Sequence, residues 1–281
     1  MDSTELAWRI RRHGVEMTHR SGASHIGSIL SVADIVAVLY SGAARLDPRD
    51  PSWPDRDRII LSKGHAGAAI YATLAETGFF ELSELGTHYT DGSKLSGHVS
   101  HRGVPGVELS TGSLGHGLSV GAGMAYAARK NDRHHRVYVI MSDGECDEGS
   151  VWEAALVASH HGLRNLVAVV DHNGMQGLGR CEDTIALEPF AAKWHAFGWN
   201  VIEVDGHDHP GLRAAFEASP ASDRPTAILA HTVKGKGVSF MEDDLLWHYR
   251  YPHEGEEYDA AVEELSGRRT PAATLQRADR Q

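Results

Sequence analysis

Cysteine is scarce in this chain: among 281 residues there are two, Cys146 and Cys181, and they form no CxxC pair. A disulfide scaffold is therefore excluded, and we expect a reducing, cytoplasmic location.

Basic residues are also in the minority, 27 against 38 acidic ones, so we expect no nucleic-acid partner. The N-terminal residues show no basic segment followed by an apolar one, so no secretion signal is predicted.

A long uninterrupted apolar run is missing as well. The most apolar long stretch, residues 26–44, is interrupted by Ser28, Ser31, Asp34 and Ser41. It falls short of the roughly 20 apolar residues that a membrane span needs. We therefore expect no membrane association.

Glycine and histidine, by contrast, are abundant, with 30 and 19 residues. The histidines form no HExxH motif and no spacing typical of a zinc site. Four of them lie in loops marked by glycine or tryptophan: His25, His65, His98 and His248. This pattern favours a site lined by imidazoles, suited to hydroxyl-rich or anionic substrates, although loop-stabilising hydrogen bonds would also account for each histidine.

The order of apolar segments predicts an α/β fold. Short apolar runs without polar alternation predict buried strands at residues 58–61, 137–141, 166–170, 199–204 and 226–230. Helices are predicted at residues 5–18, 32–40 with Ser31 as N-cap, 66–76, 114–129, 151–160, 189–197 and 210–218. Strands separated by helices imply a parallel sheet covered by helices on both faces. Residues 266–281 are polar, which predicts a frayed tail.

Oxygen-bearing side chains follow two consecutive strands. Asp143 comes after the strand at 137–141, and Asn173 follows the strand at 166–170. Ligands of open parallel sheets bind beyond the carboxyl ends of the strands, and magnesium prefers such oxygen ligands together with phosphate oxygens. Gly144 would allow the backbone to approach a phosphate. Because Asp is common where a strand leads into a helix, the pair alone favours simple capping of the following helix and turn.

A glycine-rich run at residues 112–117 precedes a predicted helix. It lacks the lysine of a Walker motif, and no strand immediately precedes it as in a Rossmann fingerprint. An anion at the helix N-terminus and close helix packing through small residues both remain open.

Taken together, these segments resemble the N-terminal, diphosphate-binding domain of transketolases. The resemblance extends over residues 6–258 and rests on five motifs in order, at residues 56–65, 105–117, 143–149 with Asn173, 205–208 and 232–242. It implies the thiamine diphosphate-binding fold, with a domain at residues 1–258 and a polar tail at 259–281. It also implies thiamine diphosphate as cofactor, with Mg²⁺ or another divalent cation such as Ca²⁺ or Mn²⁺.

The resemblance implies a role for each matching residue. Magnesium would be held by Asp143, Asn173 and the carbonyl of Met175. The cofactor would be contacted by His65, Gly112, Ser113, Leu114, Gly144, Asn173 and His248. The substrate's hydroxyls and oxyanion would face His25, His98 and His248. Glu148 would join a carboxylate network that links paired active sites.

The implied reaction is transfer of a two-carbon ketol unit. Full-length transketolases carry a pyrimidine-binding domain and a C-terminal domain that this chain does not contain. The resemblance thus implies one subunit of a split transketolase, active only with a partner that supplies those domains, most simply with two copies of each chain. Two alternatives remain open, namely delivery of a two-carbon acyl unit to a lipoyl or carrier-protein thiol, and a non-enzymatic scaffolding subunit.

Some residues depart from the family pattern. Ile26 stands where the family usually has proline after the loop histidine, and Tyr249 stands where glycine commonly follows Trp247-His248. These changes lie beside the channel that the resemblance assigns to donor and acceptor. The identities of donor and acceptor, and the pathway, are left open by the sequence.

Overall fold

The structure, a computed structural model, describes residues 1–219 and 222–267. The helices are α1 (Ser3–Ser21), α2 (Ile26–Val38), α3 (Gly67–Glu76), α4 (His116–Lys130), α5 (Gly149–His160), α6 (Cys181–Thr184), α7 (Phe190–Ala196), α8 (His209–Ala218) and α9 (Glu256–Gly267). The strands are β1 (Arg58–Leu61), β2 (Val137–Ser142), β3 (Leu166–His172), β4 (Met175–Gln176), β5 (Gly179–Arg180), β6 (Asn200–Asp205) and β7 (Thr226–His231).

Five strands form one parallel sheet in the order β1-β2-β3-β7-β6. Alternate residues of β2 face opposite cores: Tyr138 and Ile140 pack with α1, α2, α3 and α8, and Val139 and Met141 pack with α4, α5 and α7. Burial on both faces explains why the strands are apolar without alternation. The predicted α/β fold, with helices on both faces of a parallel sheet, is confirmed.

The second helix begins earlier than predicted. Ser31 is not its N-cap, because α2 starts at Ile26 and His25 occupies the cap position. Ser31 is instead fully buried, and its hydroxyl donates to the Asp171 carboxylate at 2.6 Å. Ser28 and Asp34 of this helix are also buried. These buried polar residues therefore do not interrupt the helix.

The chain also differs from the prediction at its C-terminal side. The expected boundary after residue 258 falls inside α9, whose Ala261 and Leu265 are buried. The indole Nε1 of Trp8 donates to the carbonyl of Leu265 at 2.8 Å, which ties α9 to α1. Residues 259–267 of the expected polar tail at 259–281 are thus folded, including residues 266 and 267 of the stretch predicted to fray, and residues 268–281 lie outside the described part. The predicted loop at 174–188 contains a short antiparallel pair, β4 and β5, followed by α6.

By length and composition alone, one segment of the described chain, Ile26–Ala43, is apolar enough to cross a membrane. Within the fold, 83% of this window is buried. Packing of α2 between the sheet and α1 therefore accounts for its apolar character.

Candidate functional site

A pocket of about 460 Å³ lies beyond the carboxyl ends of β1, β2, β3 and β7. The loops that follow these strands line it, together with the segment before α2 and the turn between β4 and β5. This is the place where open parallel sheets bind ligands. The residues singled out from the sequence that line it are His25, His65, His98, Gly112, Leu114, Gly144, Asn173, Met175 and His248.

The structure brings the four loop histidines together. The ring of His25 is central, with centroid distances of 5.1 Å to His65, 5.6 Å to His98 and 5.2 Å to His248. His25 itself has a left-handed backbone, with φ of 74°, which is uncommon outside glycine. Such an unfavourable backbone conformation is retained only where the surrounding structure enforces it, which is often the case at functional sites.

These imidazoles are neutral near pH 7. Burial, then the proximity of His98 and Lys234, lowers the pKa of His25 to about 4. Burial and Lys234 lower the pKa of His248 to about 3. Burial also lowers the pKa of His98 and holds that of His65 well below its ordinary value. A neutral imidazole both donates and accepts hydrogen bonds, which suits proton exchange with hydroxyl groups.

Two buried lysines line the same pocket, and neither received a role from the sequence. The ammonium group of Lys63 pairs with the Asp171 carboxylate, and both side chains are fully buried. Lys234 donates to Nδ1 of His248 at 2.9 Å. Burial, then the charge of Lys63, lowers the pKa of Lys234 to about 8. Each lysine directly precedes a glycine within one of the five family motifs. This position in a motif is the sequence feature from which a role for the two lysines could have been predicted.

Asp143 and Asn173 directly follow the adjacent strands β2 and β3; Asn173 lines the pocket, whereas Asp143 does not, although its chain neighbours Ser142 and Gly144 do. Asp143 is fully buried, and its two oxygens accept the backbone N–H groups of Gly144 at 2.8 Å and Gly174 at 2.6 Å. Burial raises the pKa of this carboxyl group, against those two hydrogen bonds. Asn173 Oδ1 accepts the N–H of Met175 at 3.1 Å. The described residues contain no group of three His, Cys, Asp or Glu side chains that would hold a metal by themselves.

Ser113 and Glu148 do not line the pocket; both are exposed. A different carboxyl group, that of Glu145, is hydrogen-bonded to the glycine-rich run at residues 112–117. The sequence analysis did not single out Glu145. Glu145 is fully buried, and it accepts the hydroxyl of Ser62 and the N–H of Gly115 at 2.9 Å. A carboxylate is favourable there because Gly115 is the N-cap of α4.

Comparisons with known proteins show which proteins this chain is similar to. A family profile described as "Transketolase, thiamine diphosphate binding domain" matches residues 3–249. The chain is 42% identical over 257 residues to the 6-deoxy-6-sulfo-D-fructose transketolase subunit of a Clostridium species, which covers 91% of this chain and 93% of that protein. It is 41% identical over 259 residues to an apulose-4-phosphate transketolase subunit of Phocaeicola vulgatus, which covers 92% of each chain.

Solved structures extend the comparison to longer chains. A transketolase from Campylobacter jejuni superposes with a TM-score of 0.88 at 30% identity, over 94% of this chain and 42% of that one. A transketolase from Leishmania mexicana gives a TM-score of 0.87 at 29% identity, over 95% and 41%. The chain therefore spans about two fifths of the length of these enzymes.

Proposed function

The chain belongs to the transketolase family, as its thiamine diphosphate-binding domain, and we propose that it is the cofactor-binding subunit of a split transketolase. The single observation that carries the proposal is the pocket at the strand ends. There an amide oxygen, two lysines and four neutral imidazoles face one cavity of about 460 Å³, and the buried carboxylate of Asp143 stands in the chain between the lining residues Ser142 and Gly144. Such a set suits an anionic cofactor with a cation at one end and a hydroxyl-rich substrate at the other.

The residues fit a diphosphate with a divalent cation. Burial raises the pKa of Asp143, and a neighbouring cation would relieve that penalty on its charged form. Because one carboxylate, one amide oxygen and one carbonyl leave a magnesium shell incomplete, phosphate oxygens would complete it. A Cβ on Gly144 would lie 2.8 Å from Cβ of Gln176. Only glycine fits at this position of the pocket lining without a clash with Gln176. The hydrogen bond of Lys234 to a neutral imidazole leaves its charge available for a phosphate.

We assign the roles as follows. The proposed cation ligands are Asp143, Asn173 and the carbonyl of Met175. The proposed cofactor contacts are His65, Lys234, Gly112, Leu114, Gly144, Asn173 and His248, together with Ser113, which is exposed outside the pocket lining of this chain and would contact the cofactor from its rim. His25, His98 and His248 would contact the substrate, and Glu148, at an exposed position, would meet a carboxylate of a second active site.

Bound thiamine diphosphate would supply the electron sink for cleavage of the carbon–carbon bond of a ketose. The chain's own contribution is proton transfer and positioning. The neutral imidazole of His25 can accept the proton of the donor's hydroxyl as that hydroxyl becomes a carbonyl, and His248, whose Nδ1 accepts from Lys234, can donate from Nε2 to a substrate oxygen. The His25 imidazole can return a proton to the carbonyl oxygen of the acceptor aldehyde. His98, which is exposed and whose ring lies 5.6 Å from that of His25 between centroids, would bind a substrate hydroxyl.

We propose a partner chain that carries the pyrimidine-binding and C-terminal domains, with two copies of each chain in a cytoplasmic complex. The relatives named as transketolase subunits, matched over nearly their whole length, support this arrangement. The excess of 11 negative charges supports the expectation that the complex binds no nucleic acid.

The test is reconstitution with a candidate partner encoded beside this chain. We expect each chain alone to be inactive, and their mixture to form a complex of two copies each and to transfer a ketol unit from a ketose phosphate to an aldehyde. Steady turnover by this chain alone would contradict the split architecture. Transfer to a lipoyl or pantetheine thiol instead would favour the carrier-thiol alternative, and absence of any magnesium-dependent cofactor binding would favour a scaffolding role.

A further inference from the structure

Tyr249 occupies the mouth of the pocket. Its ring lies 4.5 Å from that of His248 and 5.5 Å from that of His25, between centroids. Although it lines the pocket, 66% of the residue is exposed, whereas His248 is only 8% exposed. The aromatic ring therefore stands between solvent and the two imidazoles.

The turn between β4 and β5 forms the surface against which this ring packs. A Cβ on Gly177 would lie 2.5 Å from the hydroxyl oxygen of Tyr249 and 3.2 Å from Nε2 of His248. Only a residue without a side chain allows so close an approach. The next residue, Leu178, is 82% exposed and also lines the pocket, so the mouth has an aromatic and an aliphatic rim.

We propose that Tyr249 is a specificity-determining residue that shields His25 and His248 and limits the length of the acceptor aldehyde. The inference rests on the proposed function. A substrate whose reacting carbonyl reaches these imidazoles leaves its distal carbons in the mouth, against the ring of Tyr249 and the side chain of Leu178. The face of the Tyr249 ring and the aliphatic side chain of Leu178 offer no hydrogen-bond partner to a chain of hydroxyls. The site therefore favours short aldehydes over long polyhydroxylated ones.

The first experiment compares glyceraldehyde with ribose as acceptors in the assembled complex, neither of which carries a phosphate. Tyr249→Ala should raise kcat/KM for ribose relative to glyceraldehyde by about tenfold or more, since misfit of one or two carbon groups is worth roughly that factor. Tyr249→Phe is the matched control, because it keeps the ring, and it should leave the ratio unchanged. An unchanged ratio in Tyr249→Ala would overturn the proposal.

The second experiment needs no activity. Diethyl pyrocarbonate modifies neutral imidazoles, and peptide mass spectrometry would give its rate at His25 and His248, with the exposed His134 as internal reference. Tyr249→Ala should accelerate both sites severalfold relative to His134, and Tyr249→Phe should not. Equal rates in Tyr249→Ala and wild type would overturn the shielding alone. Absence of ketol transfer in the wild-type complex would instead contradict the proposed function, and the proposed role of Tyr249 in selecting short acceptors would fail with it.

Discussion

The ammonium group of Lys234 lies 2.9 Å from Nδ1 of His248, and both side chains line the same pocket. Because a charged ammonium group can only donate, Nδ1 must be the acceptor and the imidazole proton resides on Nε2. Lys234 therefore both carries positive charge into the pocket and selects the tautomer of a neighbouring histidine.

Removal of this charge should weaken cofactor binding. Lys234→Met keeps an unbranched apolar stem but removes the ammonium group, so affinity for thiamine diphosphate should fall about tenfold to a hundredfold, the value of a hydrogen bond to a charged group. Titration calorimetry on the assembled complex is the measurement. Lys236→Met, two residues away and paired with Glu242, is the control and should bind normally. Equal affinities of both variants would remove Lys234 from the diphosphate site.

The pH dependence of binding follows from the same residue. Since the pKa of Lys234 is lowered to about 8, its charge is present below that pH and lost above it. Cofactor affinity of the wild-type complex should therefore weaken as pH rises through 8. In Lys234→Met this weakening should be absent, and a parallel decline in both proteins would assign it to another group.

Asp143→Asn should abolish magnesium-dependent cofactor binding while the fold remains intact. The amide nearly preserves the shape of the side chain but removes the proposed anionic ligand. Binding would be measured by calorimetry with the partner present and with magnesium varied, and circular dichroism would check the fold. Asp147→Asn is the matched control, because Asp147 bonds Gln176 at 2.9 Å and is not a proposed ligand. Unchanged affinity of Asp143→Asn would contradict the metal assignment.

Substitution of the central histidine should affect turnover more than binding. His25→Ala and His248→Ala each remove an acid–base or oxyanion group, which is worth roughly a hundredfold to ten-thousandfold in rate. We expect kcat to fall by that order while cofactor affinity falls much less in His25→Ala, because the proposed diphosphate contacts exclude His25. Near-normal kcat in His25→Ala would show that its loop has no substrate role and would favour the carrier-thiol alternative.

A buried ion-pair network provides a prediction on stability. Asp34 accepts two guanidinium hydrogen bonds from Arg11 and is bonded to His207 at 2.6 Å and His209 at 2.9 Å. Asp34→Asn would leave a buried guanidinium without its carboxylate, so the free energy of unfolding should fall by about 3 kcal/mol or more. Urea unfolding is the measurement. Asp47→Asn, at an exposed pair, should cause no measurable change, and equal effects would contradict the argument.

How much of the site was predictable differs from residue to residue. The positions of Asp143 and Asn173 after neighbouring strands were read from the sequence, because parallel strands end at one edge of a sheet. The pair alone favoured simple capping, and the proposed cation role came from the family resemblance. The strand at 58–61 and the helix at 66–76 were predicted for a local reason, namely that apolar composition and periodicity report burial along one segment. The motif order was equally a property of the sequence, and it identified the family.

The contacts among distant residues were decided by the tertiary structure. His25, His98 and His248 come from three separate segments, and only the packing of those segments brings the rings of His98 and His248 within 6 Å of the ring of His25. Ser31 had the appearance of a cap, but burial of α2 against β3 gives its hydroxyl a carboxylate partner instead. Lys63 also carries no local sign of its pairing with Asp171. Sequence patterns report which residues are buried, whereas the partners of buried polar groups depend on how the chain packs, because a hydrogen bond requires a particular distance and direction in space.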